Sequence, residues 1–240
     1  TSMATPGISG TMAQLFERYR QLNSNNNPIA SLMKAVACNT AKDLGNAGPD
    51  YKFGFGRING LQAVRALVTN RYAVNSVANA ATNSLNITVP AGVTRLRVML
   101  AWTDPAATAN ANPALVNDLD LVVKDPSNVS VLPWTLDPAN PGNVAVRAAN
   151  HRDVMEQVTI DNPAAGNYSL QVSGFAIPSG PSQQYAITWE IESPYIEVNY
   201  PNGTEKLVPG ASEVIQWSSV GVTANQTVQY STDNGSTWST

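Results

Sequence analysis

Leu115-Val116-Asn117-Asp118-Leu119-Asp120-Leu121-Val122-Val123, followed by Lys124-Asp125-Pro126-Ser127-Asn128, is the stretch that decides the fold class. Leu119, Leu121 and Val123 alternate with Asp118, Asp120 and Val122. A period of two sends the first set to one face of a strand and both carboxylates to the other. Asp125-Pro126-Ser127-Asn128 then ends the strand with turn chemistry. Working outward, the same alternation recurs at Leu85, Ile87 and Val89, and at Leu96, Val98, Leu100 and Trp102, although Met99 and Ala101 blur the outer face of that run. Downstream it returns at Val158 and Ile160, at Tyr168, Leu170 and Val172, and at Tyr185, Ile187, Trp189 and Ile191. Val129–Trp134 and Val144–Arg147 are candidates for two more strands. Turn signals at Pro90-Ala91-Gly92 and Pro163-Ala164-Ala165-Gly166-Asn167 separate the runs. Many short strands with such punctuation predict an antiparallel sandwich or jelly-roll β-barrel over residues 74–193, and a mainly β protein.

Residues 1–70 have a different period. Ile8, Met12, Leu15, Phe16, Tyr19 and Leu22 recur at spacings of three and four, which predicts a helix. Asn23 to Asn27 break it. Pro28 opens a second helical pattern through Ile29, Leu32, Met33 and Val36. A glycine-rich link, Tyr51-Lys52-Phe53-Gly54-Phe55-Gly56-Arg57-Ile58-Asn59, leads to a third helix over Leu61–Val68, with Asn59 as its N-cap. Three helices without strands need a sheet to cover their apolar faces.

Residues 195–240 start again. Ile196 to Glu205, Ile215-Gln216-Trp217 and Val228 to Trp238 resemble the first strands of an immunoglobulin-like or fibronectin-like sandwich. Asp233-Asn234-Gly235 is a hairpin-turn signal. The segment is shorter than the roughly 100 residues of a whole sandwich, so an incomplete module is expected.

Charged residues make up 13% of the 240 and the net charge is −3. That balance gives no electrostatic case for nucleic acid or an anionic membrane. No apolar run is long enough to span a membrane. Cys38 is the only cysteine, so no internal disulfide is formed; it reads as a small buried hydrophobe in the second helix. Trp102, Trp134 and Trp189 could make a sugar platform, but Trp102 and Trp189 are in phase with core residues and read as packing.

Thr1-Ser2-Met3-Ala4-Thr5-Pro6 resembles the block around the catalytic serine of subtilisin-like serine proteases (subtilases). Gly54-Phe55-Gly56-Arg57-Ile58-Asn59 resembles the G-x-G-R-[IV]-[ND] block that follows in those proteins, between their second helix after the serine and the last one. The 115–126 run and Asn162-Pro163-Ala164-Ala165-Gly166-Asn167-Tyr168-Ser169-Leu170-Gln171-Val172 resemble the C-terminal jelly-roll β-barrel of one group of subtilases, a cousin of the P domain of proprotein convertases. The resemblance implies that Ser2 is the nucleophile and that its own N–H helps bind an oxyanion. In subtilases the catalytic Asp and His, and the Asn that donates to the oxyanion, precede the serine. The one histidine here, His151, follows it within the β region and is not read as its base.

The resemblance therefore implies the C-terminal part of a secreted or cell-surface serine endopeptidase, inactive alone. Its expected partners are protein or peptide substrates and the missing N-terminal part of the catalytic domain. In the intact enzyme the three helices pack on the parallel sheet encoded upstream, and the barrel stabilises the protease. The other readings are a non-catalytic binding or structural module and a pseudo-protease remnant.

Asp118 and Asp120 are the second candidate site. Two like charges about 7 Å apart on one strand face repel unless a cation or a basic side chain compensates. Calcium takes oxygen ligands of this kind, and the related barrels and P domains often hold it. Asp104, Asn117, Asp153 and Glu156 are candidate co-ligands. The alternatives are a solvated acidic strand and pairing with Arg147 or Arg152.

Overall fold

The computed structural model describes residues 2–203, 205–222 and 224–240, with the side chain of Val220 left out. The chain divides into two compact units, Thr1–Glu192 and Ser193–Thr240. The first opens with α1 (Ala4–Leu22), α2 (Ala30–Asn39) and α3 (Gly60–Val68). It continues through β1 (Tyr72–Val77), β2 (Thr82–Val89), β3 (Arg95–Trp102), β4 (Asp118–Lys124), β5 (Ser130–Val131), β6 (Trp134–Thr135), β7 (Val146–Arg147), β8 (Met155–Asp161), β9 (Gly166–Ala176) and β10 (Gln183–Glu192). The protein is mainly β, as the alternation predicts. β1 escaped the sequence reading, because Tyr72–Val77 lies in the change of period between helix and strand and has no clean alternation. The candidate segments Val129–Trp134 and Val144–Arg147 form the short pieces β5, β6 and β7.

Two four-stranded antiparallel sheets carry the unit, ordered β1-β10-β3-β8 and β2-β9-β4-β5. Leu96, Val98, Leu100 and Trp102 of the first sheet meet Leu119, Leu121, Val123, Tyr168, Leu170 and Val172 of the second in one core. The sheets do not close into the expected barrel. Their edge strands β8 and β5 have no hydrogen-bonded partner strand on the outer side among the described residues, and β5 is only two residues long. Apolar burial between two layers, rather than a continuous ladder, holds the sandwich together.

The outer face of the first sheet is also covered. Leu32, Met33 and Val36 of α2 join Leu15 of α1, Ala63, Ala66 and Leu67 of α3, and Ala186 of β10 in a second core. Ala35 packs with Met99 and Ala101 of β3 in a third, with Cys38 beside them. This explains the two residues that blurred the strand pattern: β3 is buried on both faces, so its outer face is apolar too. The small residues Ala35, Ala101 and Ala186 let the helix approach the sheet closely. Asn39 carries polar bonds across this seam. The Asn39 amide donates to the Arg97 carbonyl at 3.4 Å and accepts from Gln157 at 3.3 Å. Asn59 caps α3 as expected, accepting the Gln62 N–H at 3.2 Å. The apolar stripe of α1 splits instead. Leu15 is buried with Met12 and Tyr19 beside it, while Ile8 and Phe16 face outward.

The second unit holds β11 (Tyr195–Tyr200) paired antiparallel with β12 (Gln216–Val220). Tyr230 and Ser239 form a bridge around Asn234 and Gly235, whose φ values of 55° and 85° make the turn that the Asp-Asn-Gly triplet predicts.

Candidate functional site

Ser2 lies in a turn two residues before α1 and is exposed. Met3 occupies the N-cap position and makes no side-chain cap bond. The first N–H groups of α1 are thus not capped from that position, and the helix dipole favours negative charge there. Further along α1, the exposed Ile8, Ala13 and Phe16 and the half-buried Met12 line a shallow apolar depression.

Asp118 and Asp120 come together on the outer side of β4, but they are covered. Asp118 is 7% exposed and Asp120 is half-buried. Three devices place them. Asp104 accepts the Val116 and Asn117 N–H groups at 2.7 and 2.8 Å. The Asn117 side chain then donates to the Ser179 carbonyl and to Gln183 and accepts the Ser179 N–H. Finally, β4 and β9 slip register between Asp118, opposite Ala176, and Leu119, opposite Gly174. That bulge leaves Phe175 unregistered, and its ring stacks on His151 with centroids 4.1 Å apart.

His151 is the neighbour of the two acids. Its Nδ1 lies 2.7 Å from Asp118 Oδ2 and 3.7 Å from Asp120 Oδ1. The loop that presents it is folded by Asn150, whose side-chain oxygen accepts the Arg152 and Asp153 N–H groups. His151 thus stands where the alternative reading put Arg147 or Arg152. Arg147 lies over the Trp134 ring at 3.6 Å and donates to Thr159, and burial draws its pKa down to about 10. The charge of Arg152 acts on Asp137.

Glu156 on β8 completes the acidic group. It is fully buried, and its Oε2 accepts the Leu121 N–H at 2.6 Å. β5 reaches only Val123 and Lys124, so this carboxylate serves the β4 edge where no strand does. Burial pushes the Glu156 carboxyl well above its ordinary pKa against the Leu121 bond, and Asp120 and Asp118 push the same way. Burial raises Asp118 and Asp120 too, opposed by His151. One oxygen of each of the three acids, Asp118 Oδ1, Asp120 Oδ1 and Glu156 Oε1, is buried without a hydrogen-bond partner.

Asp118, Asp120 and His151 each offer a ligand atom within 4.8 Å of the others, an arrangement that could hold a metal ion. Of the expected co-ligands, Asp104 and Asn117 are engaged by backbone and side-chain bonds, and Asp153 is tied to Asn150. The sequence reading set His151 aside. Its place here is a matter of loop folding and of the Phe175 bulge, neither of which leaves a local signal.

Residues 1–56 match the Subtilase family, which relates the chain to serine proteases. No curated protein matches it. A Bacillus licheniformis lipase, BlEst2 in propeptide form, is 13% identical over 51% of this chain and 22% of its own, with a TM-score of 0.32. A serine protease of Aeromonas sobria is 15% identical over 78% of this chain and 43% of its own, with a TM-score of 0.29. The pre-peptidase C-terminal domain of a Bacillus anthracis collagenase is 11% identical over 50% of this chain and 87% of its own, with a TM-score of 0.30. The chain thus spans about a fifth of the lipase and less than half of the Aeromonas protease. No helix among the described residues is long and apolar enough to cross a membrane.

Proposed function

We propose that this chain, with its subtilase-like first 56 residues, is part of a secreted serine endopeptidase that cleaves peptide bonds through Ser2. The observation that carries the reading is the position of Ser2: exposed, inside the matching segment, in the turn that enters α1. There Ser2 Oγ attacks the scissile carbonyl and the Ser2 N–H contributes to the oxyanion site. A serine hydroxyl needs a base. His151 is the only histidine, and its ring partners Asp118, Asp120 and Phe175 all belong to the sandwich. The His base and the Asp that orients it come from outside these 240 residues, and the chain alone is inactive. The outward-facing Ile8 and Phe16 mark the surface on which the rest of the catalytic domain packs.

In this reading the sandwich stabilises the protease by carrying α2 on its first sheet. The strand orders support a jelly roll, since successive strands β1 to β4 and β8 to β10 alternate between the two sheets. The second unit serves as a spacer or attachment module of immunoglobulin-like type.

The test is labelling with a serine-directed fluorophosphonate. The full-length gene product is expected to label at Ser2 and to hydrolyse casein, with both lost in Ser2→Ala, while the 240-residue chain neither labels nor cleaves. Casein hydrolysis by the full-length protein that persists in Ser2→Ala overturns the reading.

A further inference from the structure

We propose that Asp118, Asp120 and His151 bind a divalent cation of the zinc class, which takes imidazole nitrogen together with carboxylate oxygen. The three side chains come from β4 and from the loop before β8, so the site exists only in the folded chain. The distances from His151 Nδ1, 2.7 Å to Asp118 and 3.7 Å to Asp120, bracket the roughly 3.3 Å between ligand atoms around a tetrahedral ion. Small side-chain movements admit the ion.

A second observation, independent of that spacing, points to a cation. Glu156, fully buried, has Oε1 without a partner, and Asp118 and Asp120 have the same deficit. Two of these carboxylates, Asp118 and Asp120, face the one imidazole. The arginines expected to pair here are committed elsewhere: Arg147 to Trp134 and Thr159, while the charge of Arg152 acts on Asp137. Buried polar atoms are ordinarily satisfied, so these oxygens call for a partner.

The donor set selects the metal. Calcium takes six to eight oxygens. Of the oxygens that could extend such a shell, those of Asp104 and Asn117 already accept the Val116, Asn117 and Ser179 N–H groups, which leaves Glu156 Oε1 as the one unengaged co-ligand. Imidazole with carboxylate suits zinc and its neighbours. Phe175 fixes the ring plane on one side, while the His151 side chain remains 41% exposed, which leaves a path for the ion.

The composition makes the test clean, because the chain has one histidine and one cysteine. The chelator-treated chain is titrated with zinc or calcium alone, following bound metal by equilibrium dialysis and the melting temperature by calorimetry. One equivalent of zinc is expected to bind and raise the midpoint, unaffected by millimolar calcium. His151→Gln and Asp120→Asn should each weaken zinc binding at least tenfold, and Cys38→Ser should not. Far-UV circular dichroism of each variant without metal establishes that it is folded; the isosteric Asp120→Asn serves if His151→Gln is not. Zinc binding that is absent from the wild-type chain, or unchanged in a folded His151→Gln, overturns the proposal. Calcium binding that survives His151→Gln also overturns it and assigns the cluster to an oxygen-ligated ion.

Discussion

Arg97 of β3 and Glu190 of β10 are register partners, and their side chains meet at 2.8 Å, both nearly inaccessible to solvent. Arg97 also contacts Glu192 and donates to the Ala41 carbonyl at 2.6 Å, just past the end of α2. One guanidinium therefore ties the sheet to the helical segment lying on it. Arg97→Met leaves the Glu190 carboxylate buried and unpaired, for an expected loss of about 3–5 kcal/mol in urea unfolding. Adding Glu190→Gln should recover most of it. Burial already holds the Glu190 carboxyl above its ordinary pKa, with Arg97 opposing. A carboxyl raised in the folded state contributes most at low pH, and that contribution is lost as pH rises through its folded value. The Arg97→Met deficit should accordingly be larger at pH 7 than at pH 5. A deficit under 1 kcal/mol at pH 7 would show that the pair does not hold the seam.

Asp50 organises the glycine-rich link. Its carboxylate accepts the Phe53 N–H at 2.6 Å, the Lys52 N–H at 2.9 Å and the Asn46 N–H at 3.2 Å. These bonds, that from Phe53 foremost, hold its pKa below the ordinary range. A depressed carboxylate stabilises above its unfolded pKa, about 3.9, and loses that contribution as pH falls through the lower folded value. Asp50→Asn should lower the melting temperature at neutral pH, and the gap from wild type should close as pH falls below about 4. A gap that stays constant down to acid pH would contradict this account.

Gly56 has φ of 106°, and a Cβ there would collide with the Lys42 carbonyl oxygen, which accepts the Arg57 N–H at 2.9 Å. Gly56→Ala combines backbone strain with a clash against main chain, so a cost above about 2 kcal/mol is expected. Gly7, inside α1, has nothing within 4 Å of its Cβ position. Gly7→Ala should therefore stabilise by about 0.5–1 kcal/mol through helix propensity alone. Chemical denaturation of the two variants side by side checks both signs.

The local elements were legible wherever one face meets the core and the other does not. Leu85, Ile87 and Val89, and Tyr168, Leu170 and Val172, mark β2 and β9 because a sheet with one covered face imposes alternation. Asn59 marked the start of α3 because capping is a contact between close neighbours in sequence. Ser2 was legible as a motif, and its turn before α1 follows from the helix that comes after it. Met99 and Ala101 were ambiguous for a physical reason: they face α2, and the covering helix lies some sixty residues upstream.

The sequence by itself determined the two periods, the mainly β class, the helix and strand positions in most of the first unit, and the pairing of Asp118 with Asp120 on one strand face. Each of these rests on spacing within a few residues. The tertiary structure alone decided that the strands form two open sheets sharing a core, that the helices rest on the first of these, and that His151 rather than an arginine faces the two acids. Those outcomes depend on which distant surfaces meet, on the register slip that frees Phe175 and on the short reach of β5. Such choices are set by the packing of the whole unit, and no local pattern of residues encodes them.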